Sequence, residues 1–138
     1  MKEILAIVRM NKTGATKKAL VEAGVAGFTA VKVLGRGKMV GDPAVIAERK
    51  ASLLEMAVDD VSERELAEKE VTEFLDGSRL FPRRLFTVVS PDGEVAKIVE
   101  AISKANRTDN KVGDGKIFIL PLADAIRVRT GETGEEAI

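Results

Sequence analysis

A chain of 138 residues that is 45% hydrophobic and 32% charged is long enough to bury one core and too apolar to remain disordered. Its 22 basic and 22 acidic side chains cancel, which excludes a broad nucleic-acid or membrane-surface footprint and leaves room only for a local anion pocket. The absence of Cys, His, Tyr and Trp excludes disulfides, thiolate metal sites, thiol catalysis and a Ser-His-Asp triad, and leaves acid–base work to carboxylates or lysines, of which no pair is placed for it.

The opening MKEILAIVRMNK has too short an apolar run for a signal peptide. No stretch approaches the roughly 18 apolar residues that span a bilayer, so the expected location is the cytoplasm, without stable membrane association. Glu3 to Arg9 reads as a buried strand, with Ile4, Ala6 and Val8 on one face and Leu5 and Ile7 on the other. Lys12 to Ala23 reads as a helix whose row Ala15, Ala19, Ala23 suits packing on a sheet, with Gly24 at its C′ position. Gly27 to Leu34 is a second strand, rich in β-branched residues.

Residues 37–83 read as an insertion within a single domain spanning 1–138. Asp42-Pro43 caps a helix running to Ala57, and Ser62 to Glu65 forms a capping box for a second helix that ends at Gly77. Its dense charges fit a solvated face, and an insertion of this size suits a partner-contacting arm. Leu85 to Val89 is a third strand. Ser90 and Pro91 read as N-cap and N1 of a helix with the stripe Val95, Ile98, Val99, Ile102, and Lys104 and Arg107 suit its C-terminus. Ile117 to Leu122 and Ala125 to Thr130 are the last strands, followed by a loose acidic end. The order predicts an α+β, ferredoxin-like (split βαβ) sandwich with a long helical insertion after the second strand. The apolar residues on its open sheet face call for burial against other subunits.

The stretch KVGDGKIFILPLADAIRVRTG concentrates the chemistry. Gly113 and Gly115 let turn amides approach an anion, Lys116 adds a point charge, and Arg127 and Arg129 would share one strand face as bidentate phosphate ligands. Asp-Gly before a β-rich run is also the commonest hairpin turn signal, and spacing alone favours that plain turn.

Three strings, MKEILAIVRMNK, LVEAGVAGFTAVKVLGRG and VGDGKIFILPLADAIRVRTGE, resemble the P-II family of nitrogen-regulatory signalling proteins. The resemblance covers nearly everything outside the insertion. It implies a trimer that binds ATP or ADP in the clefts between subunits. Gly113, Asp114, Gly115 and Lys116 would hold phosphates, and Arg127 and Arg129 would reach in from the neighbour. Thr29 would lie at the base, Val89 would line the pocket, and Gly37 and Lys38 would touch the nucleotide from the loop root. Met39 stands where the family has a glutamine bridging Mg and 2-oxoglutarate, and Arg83 where it has the lysine that holds the acid; a thioether is a poor ligand for hard Mg. The loop before the turn is one residue longer, at Asp109-Asn110.

The long insertion is similar to that of the nitrogenase-associated NifI branch, above all its second paralogue. That likeness implies control of nitrogenase by direct contact, as a homotrimer or in a mixed oligomer with a related paralogue that supplies the oxo-acid site. Without tyrosine, tyrosyl modification is excluded. Glutamine synthetase or an ammonium transporter is the alternative target within the family. Outside it stand a slow ATPase, disfavoured by the missing water-activating group, and a bare structural oligomer. An RNA-binding sheet is disfavoured by 4% aromatics and neutral charge.

Overall fold

Burial in the computed structural model follows the alternation of the first strand. In β1 (Lys2–Val8), Ile4, Ala6 and Val8 are buried, while Leu5 and Ile7 point to the other face and are only partly covered. The structure describes residues 1–36, 54–55, 57, 64–75, 80–109 and 113–138. A 3-10 turn, Met10–Lys12, leads into α1 (Thr13–Glu22); β2 (Thr29–Gly35), α2 (Arg64–Leu75), β3 (Phe81–Ser90), α3 (Val95–Asn106) and β4 (Lys116–Pro121) follow. The sheet order is β2-β3-β1-β4 with every neighbouring pair antiparallel, which is the ferredoxin-like arrangement.

α1 and α3 pack against each other on one face of the sheet. Between them and the strands lies a core of Ile4, Ala6, Val8, Leu20, Phe86, Val88, Ile98 and Ile102. Phe28 tilts against Phe86 with ring centroids 5.8 Å apart. The α3 stripe behaves as its spacing predicts, with Ile98 and Ile102 buried and Val95 and Val99 packed against the core. The α1 face does not. Its buried residues are Thr13, Thr16, Leu20 and Ala23, whereas Ala15 is exposed and the alanine row lines the groove towards α3. Two threonines can face inward because each hydroxyl donates back to a carbonyl, Thr13 to Met10 at 2.6 Å and Thr16 to Lys12 at 2.8 Å.

Three more sequence expectations are corrected. Ser90 is the last residue of β3 and its hydroxyl donates to the Pro91 carbonyl, so the helix entry is a 3-10 turn, Asp92–Glu94, with no side-chain cap. β3 begins at Phe81 rather than Leu85, because its first residues extend past β1 and pair with β2 alone, where Pro82 gives up no ladder bond to β1. The acidic end is not loose throughout, since Gly134–Ala137 forms a 3-10 turn. In the insertion, Ala67 and Val71 of α2 are buried and α2 packs on β3. Leu54, Glu55 and Ala57 are helical, and the remainder of the first inserted helix, the Ser62 cap and Gly77 lie outside the described residues.

Gly24 ends α1 as the sequence predicts. Its φ is +78°, its N–H donates to the Val21 carbonyl at 3.0 Å, and the Val25 N–H donates to Leu20 at 3.1 Å, the paired bonds of a Schellman motif. A Cβ there would meet only the Lys97 Nζ at 4.0 Å. Gly24→Ala is therefore expected to cost about 1 kcal/mol through backbone conformation alone, read as a lower urea midpoint with an unchanged slope.

Candidate functional site

The glycine turn is built onto the end of β1. Lys116, the first residue of β4, pairs with Ile7, and Gly113 and Gly115 hold φ of +103° and +122°. Arg9 follows directly after β1 and is 8% exposed. Its Nε donates to the Gly113 carbonyl at 3.1 Å and its Nη2 pairs with the Asp114 carboxylate at 2.9 Å. Asp114 also accepts from the Thr108 amide at 2.8 Å and the Thr108 hydroxyl at 2.6 Å. Its carboxylate thus ties the turn to Arg9 and Thr108. Burial pushes the Asp114 carboxyl up, but the Thr108 hydrogen bonds and the Arg9 and Lys12 charges outweigh it, so it sits below its ordinary value.

Arg9 and Thr108 escaped the sequence reading. Only the strand register, which sets the end of β1 beside the start of β4, brings Arg9 to the turn.

The second cationic feature is Arg83. It lies 4.8 Å from the Phe81 ring centroid, and its Nη1 is buried without a hydrogen-bond partner among the described residues. Burial and the nearby Arg9 charge pull its pKa down to about 10. A guanidinium in that state gains from an arriving anion.

The registers also place the outer sheet face, turned away from α1 and α3. Lys116, Ile7, Leu85 and Val31 form one row across it, and Phe118, Leu5, Thr87 and Thr29 the next. Val89 lies in a third row, beside Glu3 and Leu120. Val31, Phe118 and Leu120 are 46%, 45% and 37% exposed, so this face is apolar and open in the single chain. Thr29 and Lys116 sit on the two edge strands, three strand spacings or about 14 Å apart. One phosphate group cannot touch both within one chain.

A family model for the nitrogen regulatory protein P-II matches residues 1–132. The chain belongs to the P-II family. It is 44% identical over 138 residues to the nitrogen fixation nifHD region GlnB-like protein 2 of Methanothermococcus thermolithotrophicus, covering 100% of this chain and 98% of that protein. It is 39% identical to the protein of the same name from Methanobacterium ivanovii, covering 100% and 99%. With the nitrogen regulatory protein P-II of Cereibacter sphaeroides it shares 40% identity over the full length of both.

Within this P-II chain the final strand expected over Ala125 to Thr130 does not form. Residues 128–130 turn, and a single bridge joins Ile126 to Thr133. Alternating residues need a neighbouring strand, and here Val128 is 99% exposed with no strand among the described residues to pair against. Arg127 and Arg129 therefore do not share a strand face. Arg127 is drawn into its own segment, pairing with the Glu132 carboxylate and donating to the Glu136 carbonyl at 2.6 Å, while Arg129 is exposed. Gly37, Lys38 and Met39 lie outside the described residues, as does Asn110 of the lengthened loop. Among the described residues no three acidic side chains gather as a metal site, and no helix is long and apolar enough to cross a membrane.

Proposed function

We propose that the chain is a single-domain nucleotide-sensing regulator, with the segment between β2 and β3 as its inserted arm, that binds ATP or ADP between the subunits of a trimer and controls nitrogenase by direct contact through that arm. The observation that carries the reading is the glycine turn. Two positive-φ glycines, a carboxylate turned back into the scaffold and an adjacent lysine make the anion-ready geometry a polyphosphate needs.

Separation of Thr29 from Lys116 across the sheet supports a site shared between subunits, in which one chain contributes Gly37, Lys38, Met39 and the turn and the next contributes Thr29, Val89, Arg127 and Arg129. The open apolar outer face and the exposed Ile126 and Val128 support burial against copies of this chain or a related paralogue. The nitrogen-fixation names of the relatives favour nitrogenase over glutamine synthetase or an ammonium transporter as the target. Binding of nucleotide would shift the arm only through different affinities for its two states, with the root at Gly37 to Met39 as the hinge.

Arg83 has an unfilled donor for a carboxylate, but the Met39 thioether is no ligand for Mg. The oxo-acid signal then enters through a paralogous subunit of a mixed oligomer.

Calorimetric titration with ATP, with and without Mg and 2-oxoglutarate, tests this. ATP is expected to bind, Lys116→Ala to weaken it by about tenfold or more, and 2-oxoglutarate to add nothing to this chain alone. Tightening by 2-oxoglutarate would make the chain a complete sensor, and absence of ATP binding would remove the site assignment. Native mass spectrometry reads the trimer directly.

A further inference from the structure

The closing segment of the chain folds back on itself around Arg127. The Arg127 N–H donates to the Glu132 carbonyl at 2.9 Å, and the Gly131 N–H donates to the Arg127 carbonyl at 2.8 Å. At the base of this loop the Asp124 carboxylate accepts from the Ala125 and Gly134 amides, both at 2.8 Å. Gly131 and Gly134, at φ of +74° and +68°, make the reversals that bring its two arms together. This backbone frame sets the Glu132 side chain against the Arg127 guanidinium.

Their ion pair is reinforced on both sides. Glu132 Oε2 pairs with Arg127 Nη1 and also accepts from the Thr130 hydroxyl at 2.8 Å. Arg127 Nη2 donates to the Glu136 carbonyl at 2.6 Å. Both terminal nitrogens of the guanidinium thus carry acceptors supplied by its own segment. Arg129, two residues on, is exposed, and no carboxylate pairs with it among the described residues. The two arginines assigned to the phosphates stand in different states: one open, the other already holding an anion.

A carboxylate and a phosphate take the same donors of a guanidinium. The Glu132 contact is intramolecular, so it acts at the high effective concentration of a short closed loop. A phosphate held by Arg127 must displace Glu132 or lie beside its charge, and either costs affinity. The two side chains are 36% and 42% exposed, so an incoming anion can reach the pair, and such a pair contributes little to folding. We propose that Glu132 sets the affinity of the nucleotide site, as an internal carboxylate that occupies Arg127 and that a nucleotide phosphate must displace. The inference rests on the nucleotide reading above. It makes the apparent affinity the intrinsic one reduced by the fraction of loops whose Arg127 is released.

ATP calorimetry on the full chain and four variants tests this. Glu132→Gln keeps an oxygen for Arg127 and Thr130 but removes the charge, and is expected to tighten ATP by about tenfold. Glu135→Gln removes the same charge from an exposed side chain of the same segment without the Arg127 contact, and should leave affinity within about twofold. Arg127→Ala should weaken ATP, and adding Glu132→Gln to it should then change affinity by no more than about twofold, because the competitor has lost its object. If Arg127→Ala abolishes ATP binding outright, the comparison of Glu132→Gln with Glu135→Gln decides. Urea midpoints of the parent and Glu132→Gln should nearly coincide, which separates competition from a structural role. Equal ATP affinity of the parent and Glu132→Gln overturns the proposal and leaves the nucleotide reading intact. Weaker binding by Glu132→Gln overturns it too, and makes the carboxylate a positioning group for Arg127. Tightening that persists without Arg127, or that Glu135→Gln equals, reduces the effect to net charge and overturns it. ATP binding to neither the parent nor Glu132→Gln removes the nucleotide reading and this inference with it.

Discussion

Gly115→Ala is expected to lower stability by about 3 kcal/mol or more and to remove nucleotide binding even under conditions where the variant remains folded. Two causes add. At a φ of +122° an L side chain is strained wherever it sits. Beyond that, a Cβ built at Gly115 would lie 2.3 Å from the Ile7 carbonyl oxygen and 3.3 Å from the Ile7 carbonyl carbon. These are backbone atoms of β1, held by ladders to β3 and β4 on either side, so no side chain can move away to make room. Either the turn leaves β1 or the Ile7 to Lys116 pairing opens, and both displace the Gly113 to Lys116 amides. Gly24→Ala is the control, because it shares the positive φ without a clash. For a domain of this size the difference corresponds to roughly 10 °C in melting temperature, and denaturant unfolding beside ATP calorimetry measures both halves of the expectation.

Sequence patterns carried the elements whose signal is local. The β1 alternation, the α3 stripe and Gly24 each depend on residues within about two turns of one another, and each appears in the structure where the spacing puts it. The turn glycines were legible for the same reason. Features fixed by register or by packing were not. Arg9 stands 104 residues before Gly113, and the link exists only because β1 and β4 are antiparallel neighbours. The inward threonines of α1 defeated the alanine-row reading, since hydrogen bonds back to the helix let polar residues take the buried face. Ala125 to Thr130 alternates as a strand should, but alternation supplies no partner strand, and Val128 remains uncovered. Thr29 and Lys116 illustrate the same limit from the other side: motif resemblance groups them in one site, and the sheet of a single chain holds them on opposite edges.

Removing the Asp114 carboxylate by Asp114→Ala is expected to cost about 2–3 kcal/mol, more than an exposed ion pair contributes. The loss falls mainly on what is left behind. The Arg9 side chain is 9% exposed, so its charge would stay buried without its carboxylate, and the Thr108 amide and hydroxyl would lose their acceptor together. The figure stays below that of a fully buried pair because the Asp114 side chain is 24% exposed and Arg9 keeps its bond to the Gly113 carbonyl. Coupling can be isolated by a cycle with Arg9→Met, in which the double variant should lose less than the sum of the single losses. The pH dependence has a definite sign. The folded-state carboxyl lies below its ordinary 3.8, so its contribution is complete above that value and disappears as pH falls through the lower, folded-state value. Asp114→Asn should therefore differ from the parent by a constant amount from pH 7 to about pH 5, and the gap should narrow below about pH 4. A gap that persists unchanged into acid would mean that hydrogen-bond geometry, and not the charge, holds the turn. A gap absent at neutral pH would mean that Arg9 finds another partner, and that the glycine turn keeps its shape without the carboxylate.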